Sequence, residues 1–205
     1  MPKIIYLITQ SELGGAQKNV LDLAVSLKND YEILVAAGPE GQGQLLKELE
    51  KQKIKTKKLS WLRRSVNPLF DFLAFWEIKN LLKKEKPDIL HLHSSKAGIL
   101  GSLAASPKTK IVYTVHGAVF EAAFSSLAKK IFLMLEKWTA RFKNKIICVS
   151  QNDKNLWLKN KVADEKKLVV IHNGLNIEKL NFLPQETARK ELENFIKHPL
   201  KNVFL

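Results

Sequence analysis

The sequence predicts an α/β domain built on a doubly wound parallel sheet. Three observations carry this expectation. Short apolar runs alternate with helix-patterned segments along nearly the whole chain, the signature of repeated βαβ units. The strand runs are largely unbroken apolar stretches, as expected of strands covered by helices on both faces. Four strand ends carry glycine or polar tips: Gly14-Gly15, the stretch from His91 to Gly98, Thr114-Val115-His116-Gly117, and Ile171-His172-Asn173-Gly174. Open α/β sheets bind ligands outside the carboxyl ends of their strands, so these tips point to one binding edge.

Residues 3–9 form an apolar strand. Residues 16–27 then repeat apolar side chains at helical spacing, through Val20, Leu23, Ala24 and Leu27. Residues 31–37 are a second strand, closed by Gly38-Pro39. Residues 44–53 are a charged helix with Leu45, Leu46 and Leu49 on one face, and residues 55–59 a short strand. Pro68 opens a helix reaching Lys84, because proline suits the first helical position. A strand at 88–92, a small-residue helix at 97–105 and a strand at 110–115 follow. Residues 124–142 are a long helix and 145–149 a strand. Ser150 starts the next helix, with Asp153 three residues on in a capping-box-like arrangement. Residues 168–171 are the last clear strand. Residues 186–196 read as a linker or short helix, and Val203-Phe204-Leu205 as a strand just beginning.

The 205 residues suffice for one well-buried domain, and a hydrophobic content of 45% argues against disorder. Lysine and arginine total 34 against 20 acidic residues, a net charge of +14. An anionic partner is expected. Nucleic acid is not favoured, since no recognition module and no interleaving of aromatic with basic residues is seen. No apolar run approaches the about 20 residues that span a bilayer. The run Ile4 to Ile8 is too short for a signal peptide. A cytoplasmic protein is expected, either free or resting peripherally on the inner face of the cell membrane. The single cysteine, Cys148, lies among Ile146, Ile147 and Val149 and reads as a core thiol.

Gly14-Gly15 has two readings, a tight turn or a close approach of backbone to an anion at a helix N-terminus. Neither G-x-G-x-x-G nor a Walker A loop is present, which counts against NAD and ATP. His91 and His93 lie two apart and so share one face of a strand. That spacing can serve a metal, but Ser-Ser-Lys follows and no cysteine or carboxylate does. The favoured reading packs one histidine at the strand end while Ser94, Ser95 and Lys96 frame a polar pocket. Either serine also suits a helix cap. Lys96 at a helix start opposes the helix dipole, and a bound anion would explain its placement. His116-Gly117 ends a strand with a sharp exit suited to a ligand. Asn173-Gly174 reads mainly as a turn.

In the 124–142 helix, Phe124, Leu127, Ile131, Leu135 and Trp138 fall near one face, with Lys129, Lys130, Lys137 and Arg141 among the polar positions. Two readings are open: a core-facing stripe with a solvated basic side, or a basic amphipathic helix lying on anionic lipid. Trp61, Arg63, Arg64 and the aromatic stretch 69–76 would extend such a lipid surface.

The ordered series Gly14-Gly15-Ala16, the stretch from Pro87 to Gly98, Thr114-Val115-His116-Gly117, Cys148-Val149-Ser150 and the stretch from Val170 to Asn176 resembles the N-terminal half of family 4 glycosyltransferases. The resemblance covers residues 3 to 183. It implies a Rossmann-like domain, one half of a GT-B architecture, and retaining transfer of a sugar from a nucleotide-sugar donor. It implies that Gly14 and Gly15 approach the donor phosphates and that the catalytic His116 lies near the transferred sugar. His93, Ser94, Ser95, Lys96 and Gly117 would line the acceptor-side pocket, with Asn173 and Gly174 a supporting turn. No metal and no cofactor beyond the nucleotide-sugar are implied. The expected acceptor is a lipid-linked glycan in cell-surface polysaccharide synthesis.

Residues 1–183 are thus expected to form the acceptor-side domain. Residues 184–205 are expected to be a linker and the start of a C-terminal donor domain, supplied in cis or by a separate subunit. That domain's Arg/Lys pair and glutamate-rich motif have no match here, so this chain alone is expected to be inactive. The alternatives are a non-catalytic Rossmann-like domain that binds a glycolipid or partner, and an oxidoreductase, against which the missing G-x-G-x-x-G argues.

Overall fold

A computed structural model describes residues 1–117, 126–174 and 183–196, in two compact units, 1–173 and 174–205. The first unit holds β1 (Lys3–Ile8), α1 (Gly15–Leu27), β2 (Glu32–Ala37), α2 (Gln44–Lys51), β3 (Lys55–Lys58), α3 (Pro68–Glu85) and β4 (Ile89–His93). It continues with α4 (Ser95–Ala104), β5 (Lys110–Val115), α5 (Ser126–Ala140), β6 (Lys145–Cys148), α6 (Gln151–Lys159), a 3-10 turn at Glu165–Lys167 and β7 (Leu168–Val170). In the second unit, α7 (Gln185–Ile196) forms where a linker or short helix was expected. The expected strand at 203–205 and the start of the 124–142 helix lie outside the described residues.

The strands form one sheet in the order β3-β2-β1-β4-β5-β6-β7, all parallel. This is the doubly wound arrangement the alternation predicts. Strand order reverses between β1 and β4, so the chain leaves those two neighbours in opposite directions and opens a crevice beyond their ends. In-register pairs such as Ile5 with Leu34 and Leu90 set like-facing side chains in rows across the sheet. One face packs Ile4, Tyr6, Ile8, Ile33, Val35 and Ala37 against α1 and α2. The other packs Ile5, Leu7, Leu90, Leu92, Tyr113 and Cys148 against α3 to α6. Burial pushes the Cys148 thiol up to about 11, leaving it protonated as a core group.

Local chemistry sets the helix starts. Asn67 accepts hydrogen bonds from the N–H groups of Leu69 and Phe70 at 3.0 and 3.2 Å, just ahead of Pro68. The Ser150 hydroxyl accepts from the Asp153 N–H at 3.1 Å. Helix α4 is rich in small residues because it lies close on the sheet. A Cβ on Gly101 would sit 2.4 Å from Leu92 Cδ2. The edge strand β3, Lys55-Thr56-Lys57-Lys58, is mostly exposed.

Helix α5 departs from the core-facing reading of its stripe. Leu127 (69% exposed), Ile131, Met134 and Trp138 face solvent, while Glu136, Thr139 and Ala140 are buried. The buried side is polar because it holds an ion pair. Lys143 Nζ lies 2.8 Å from Glu136 Oε2, with both side chains inaccessible to solvent. Tyr113 donates to the other carboxylate oxygen at 3.1 Å, and the ammonium stands 4.1 Å from the centre of the Tyr113 ring. Among the described residues, no helix is long and apolar enough to cross a membrane.

Candidate functional site

The crevice beyond β1, β4 and β5 is an open cleft of about 410 Å³. Residues following all three strands line it: Gly15 after β1, Ser94 and Ser95 after β4, His116 and Gly117 after β5. The structure therefore gathers residues assigned to the donor phosphates, the transferred sugar and the acceptor into one cleft.

Helix α1 opens onto this cleft with Gly14 at its N-cap. It has no side-chain cap and no acidic residue in its first turn. Its leading N–H groups are unclaimed by side chains, and the helix dipole adds partial positive charge there. A Cβ at Gly15 would meet nothing within 4 Å, so the bare backbone leaves room for a ligand and not for a packing partner. Gly14, also expected at the donor phosphates, is not among the residues lining the cleft, and a Cβ there would press on Gln17 Oε1 at 2.9 Å.

Ser94 takes φ +78° and ψ 148°, a conformation that costs a residue with a side chain about 1–3 kcal/mol. Its hydroxyl is 2.6 Å from Thr9 Oγ1 at the end of β1, which helps hold that geometry. The side chain does not cap α4, so the capping alternative fails for Ser94. Ser95 Oγ lies 3.4 Å from the Tyr113 hydroxyl. Gly117 takes φ +113°, the left-handed region that favours glycine, and turns the chain out of β5.

His116 stands on a buried stack of imidazoles. His93 Nδ1 is 2.9 Å from His116 Nε2, and the His91 and His93 ring centres are 4.3 Å apart. His91 Nε2 is 2.8 Å from Thr114 Oγ1. Burial drives His116 down to about 4, with a small opposing pull from Asp153. Burial takes His91 to about 3 and His93 well below the ordinary histidine range. All three are neutral near pH 7. Among the described residues, no group of three His, Cys, Asp or Glu side chains is placed to hold a metal ion.

Two expected pocket residues sit elsewhere. His93 is fully buried and underlies His116 rather than lining the cleft. Lys96 turns its ammonium to Asp71 Oδ1 at 2.6 Å and to the Ser65 carbonyl, so a carboxylate on α3 and not a bound anion accounts for its place. Those contacts tie down the loop before α3. That loop carries Arg64, which lines the cleft although the sequence suggested a lipid-facing role. Its neighbour Arg63 lies 4.6 Å over the Phe70 ring. Glu12, Gln10 and Tyr113 also reach the cleft with no local pattern to announce them. Asn173 Oδ1 accepts from Asn19 Nδ2 of α1 at 3.1 Å, in a stretch without regular secondary structure, and exposed Gly174 begins the second unit.

The family model Glycosyltransferase Family 4 matches residues 13–179. The Escherichia coli UDP-Gal:alpha-D-GlcNAc-diphosphoundecaprenol alpha-1,3-galactosyltransferase is 38% identical over 120 residues, 58% of this chain and 31% of the relative. The O-antigen biosynthesis glycosyltransferase WbnH, also from E. coli, is 24% identical over 188 residues, 85% of this chain and 49% of the relative. The crystal structure of Anabaena Alr3699/HepE in complex with UDP and glucose shares the fold. Its TM-score is 0.74 at 20% identity, over 96% of this chain and 50% of that one. The chain thus spans no more than about half the length of these proteins.

Proposed function

This chain belongs to glycosyltransferase family 4, and from that premise we propose that it forms the acceptor-side half of a retaining glycosyltransferase. The donor is a nucleotide-sugar and the acceptor a lipid-linked glycan of cell-surface polysaccharide assembly. The reading draws on what the E. coli relatives are named for and on the UDP held by the Anabaena protein. One observation carries it: the uncapped start of α1, His116 and the Ser94-Ser95 corner face a common cleft at the point where strand order reverses.

As the bond to the departing nucleotide breaks, positive charge grows at the anomeric carbon and negative charge on the diphosphate. The N–H groups at Gly15 are fixed in advance toward such an anion, and fixed dipoles stabilise charge without reorganising. Arg64, which also lines the cleft, adds a cation. The neutral His116 borders the sugar and offers hydrogen bonding without a charge that would repel the anomeric carbon. We assign the transfer no resident metal. A second, nucleotide-holding half closes the cleft and completes the donor site.

Pairing the chain with the donor half of a family 4 relative tests the reading. His116→Ala in that pair is expected to lower kcat about 10²–10³-fold, and to lower Tm as well, since buried His93 loses the partner of its Nδ1. The kcat values are therefore compared well below the variant's Tm. Unchanged sugar transfer would remove His116 from the site. Acceptor binding without any turnover would favour the non-catalytic alternative.

The exposed stripe of α5 and its neighbours Lys130, Lys137 and Arg141 form a basic, apolar face. Leu69, Phe72 and Trp76 of α3 are exposed on the same side of the sheet. We assign this face to the anionic inner surface of the cell membrane, where a lipid-linked acceptor resides. Sedimentation with vesicles is expected to show binding to anionic but not neutral lipid. It should weaken several-fold between about 0.05 and 0.5 M salt, as the screening length shrinks. Equal binding to both vesicle types argues against the assignment.

A further inference from the structure

We propose that buried His93 dictates which nitrogen of His116 carries its proton, so that His116 meets a ligand as a neutral Nδ1–H donor. The inference rests on His116 facing the ligand but concerns the free chain, so its test does not depend on sugar transfer.

Two ring nitrogens 2.9 Å apart, His93 Nδ1 and His116 Nε2, share one proton. If His116 donates, the neutral His93 must carry its own proton on Nε2. That atom is buried and has no hydrogen-bond partner among the described residues. A buried N–H without an acceptor is among the rarest and costliest defects in folded proteins, and an unused lone pair is better tolerated. His93 therefore carries its proton on Nδ1 and donates to His116 Nε2. A charged His93 is no better, since it would still donate from Nδ1 but its Nε2–H would again be orphaned. His91 is packed 4.3 Å away, the ring is fully buried, and the Tyr6 ring lies 5.9 Å away and 5.2 Å from His91.

The consequence falls on His116. Its Nε2 lone pair is occupied, so the neutral ring holds its proton on Nδ1. His116 then cannot act as a base through either nitrogen. Becoming an acid would require His93 to surrender its own arrangement first. Asp153 exerts a weak pull toward the charged form, but burial outweighs it. What remains is a fixed donor, suited to an oxygen bearing full or partial negative charge, such as a sugar hydroxyl or a phosphate oxygen. His93 is a positioning residue, acting wholly through its neighbour.

Long-range 1H–15N correlation on the 15N-labelled chain at pH 7.5 reads the tautomers directly. The expected spectrum shows His116 protonated on Nδ1, in excess over the other tautomer by about tenfold or more. His93→Asn keeps a donor near the old Nδ1 position and is expected to preserve that spectrum. His93→Leu removes the donor and is expected to give a tautomer mixture. A wild-type His116 protonated on Nε2 or on both nitrogens overturns the proposal, whether or not either variant folds. So does a His93→Leu spectrum identical to wild type.

Discussion

Lys143→Met is expected to destabilise the folded chain by about 3–5 kcal/mol. Lys143 is wholly buried beneath α5, where burial pulls its ammonium below the usual lysine range while Glu136 resists. Removing the cation strands the Glu136 carboxylate in the core with the Tyr113 hydroxyl as its remaining side-chain partner among the described residues. Breaking a buried pair costs far more than deleting both charges, since the survivor cannot reach water. The double variant Lys143→Met with Glu136→Gln keeps an acceptor for Tyr113 and is expected to recover most of the loss. Urea unfolding of the wild type, single and double variants checks this. A single variant within about 1 kcal/mol of wild type would refute the buried-pair account. The same lesion should reach the cleft, because Tyr113 lines it and touches Ser95.

Acid is expected to unfold this chain earlier than carboxylate titration alone would. His91 and His93 are buried and neutral, with folded values far below the ordinary 6.5. The unfolded chain binds protons at those sites once pH falls below about 6.5, and the folded chain does not until much lower. Folding stability therefore falls as pH drops through that window, from about 6.5 toward the folded value of about 3 for His91. Two such groups give a slope of up to about 3 kcal/mol per pH unit. The more accessible His116, at about 4, adds to it. Urea midpoints at pH 7.5, 6.0 and 5.0 measure the slope above the range where carboxylates titrate. A stability constant from pH 7.5 to 5.0 would contradict the buried stack, and His91→Asn should flatten the curve.

Most of the fold was legible because its signals are local. Pro68 with Asn67, Ser150 with Asp153, and the unbroken strand runs each mark an element from within it. The two-residue spacing of His91 and His93 likewise shows that they share a face. Other features depend on partners distant in sequence. His93 meets His116 only because β4 and β5 pair in the register that sets His93 beside Thr114. Lys96 answers to Asp71, twenty-five residues back, and in doing so places Arg64 at the cleft. The α5 stripe leaves two readings open for a different reason. Its period was right, but hydrophobicity sends Glu136, Thr139 and Lys143 outward, and their mutual pairing lets the core accept them. Sequence patterns show that a helix has two faces more readily than which one a core will take.

The sheet's β3 margin, Lys55 to Lys58, has a further consequence. An unpaired strand edge invites another molecule's backbone to add on, the first step toward amyloid-like stacking. Three lysines in four residues force any copy docking there to bring like charges within a few ångströms of each other. That repulsion guards an otherwise open ladder against self-templated growth, and it does so without any contribution to the cleft at the strands' far ends.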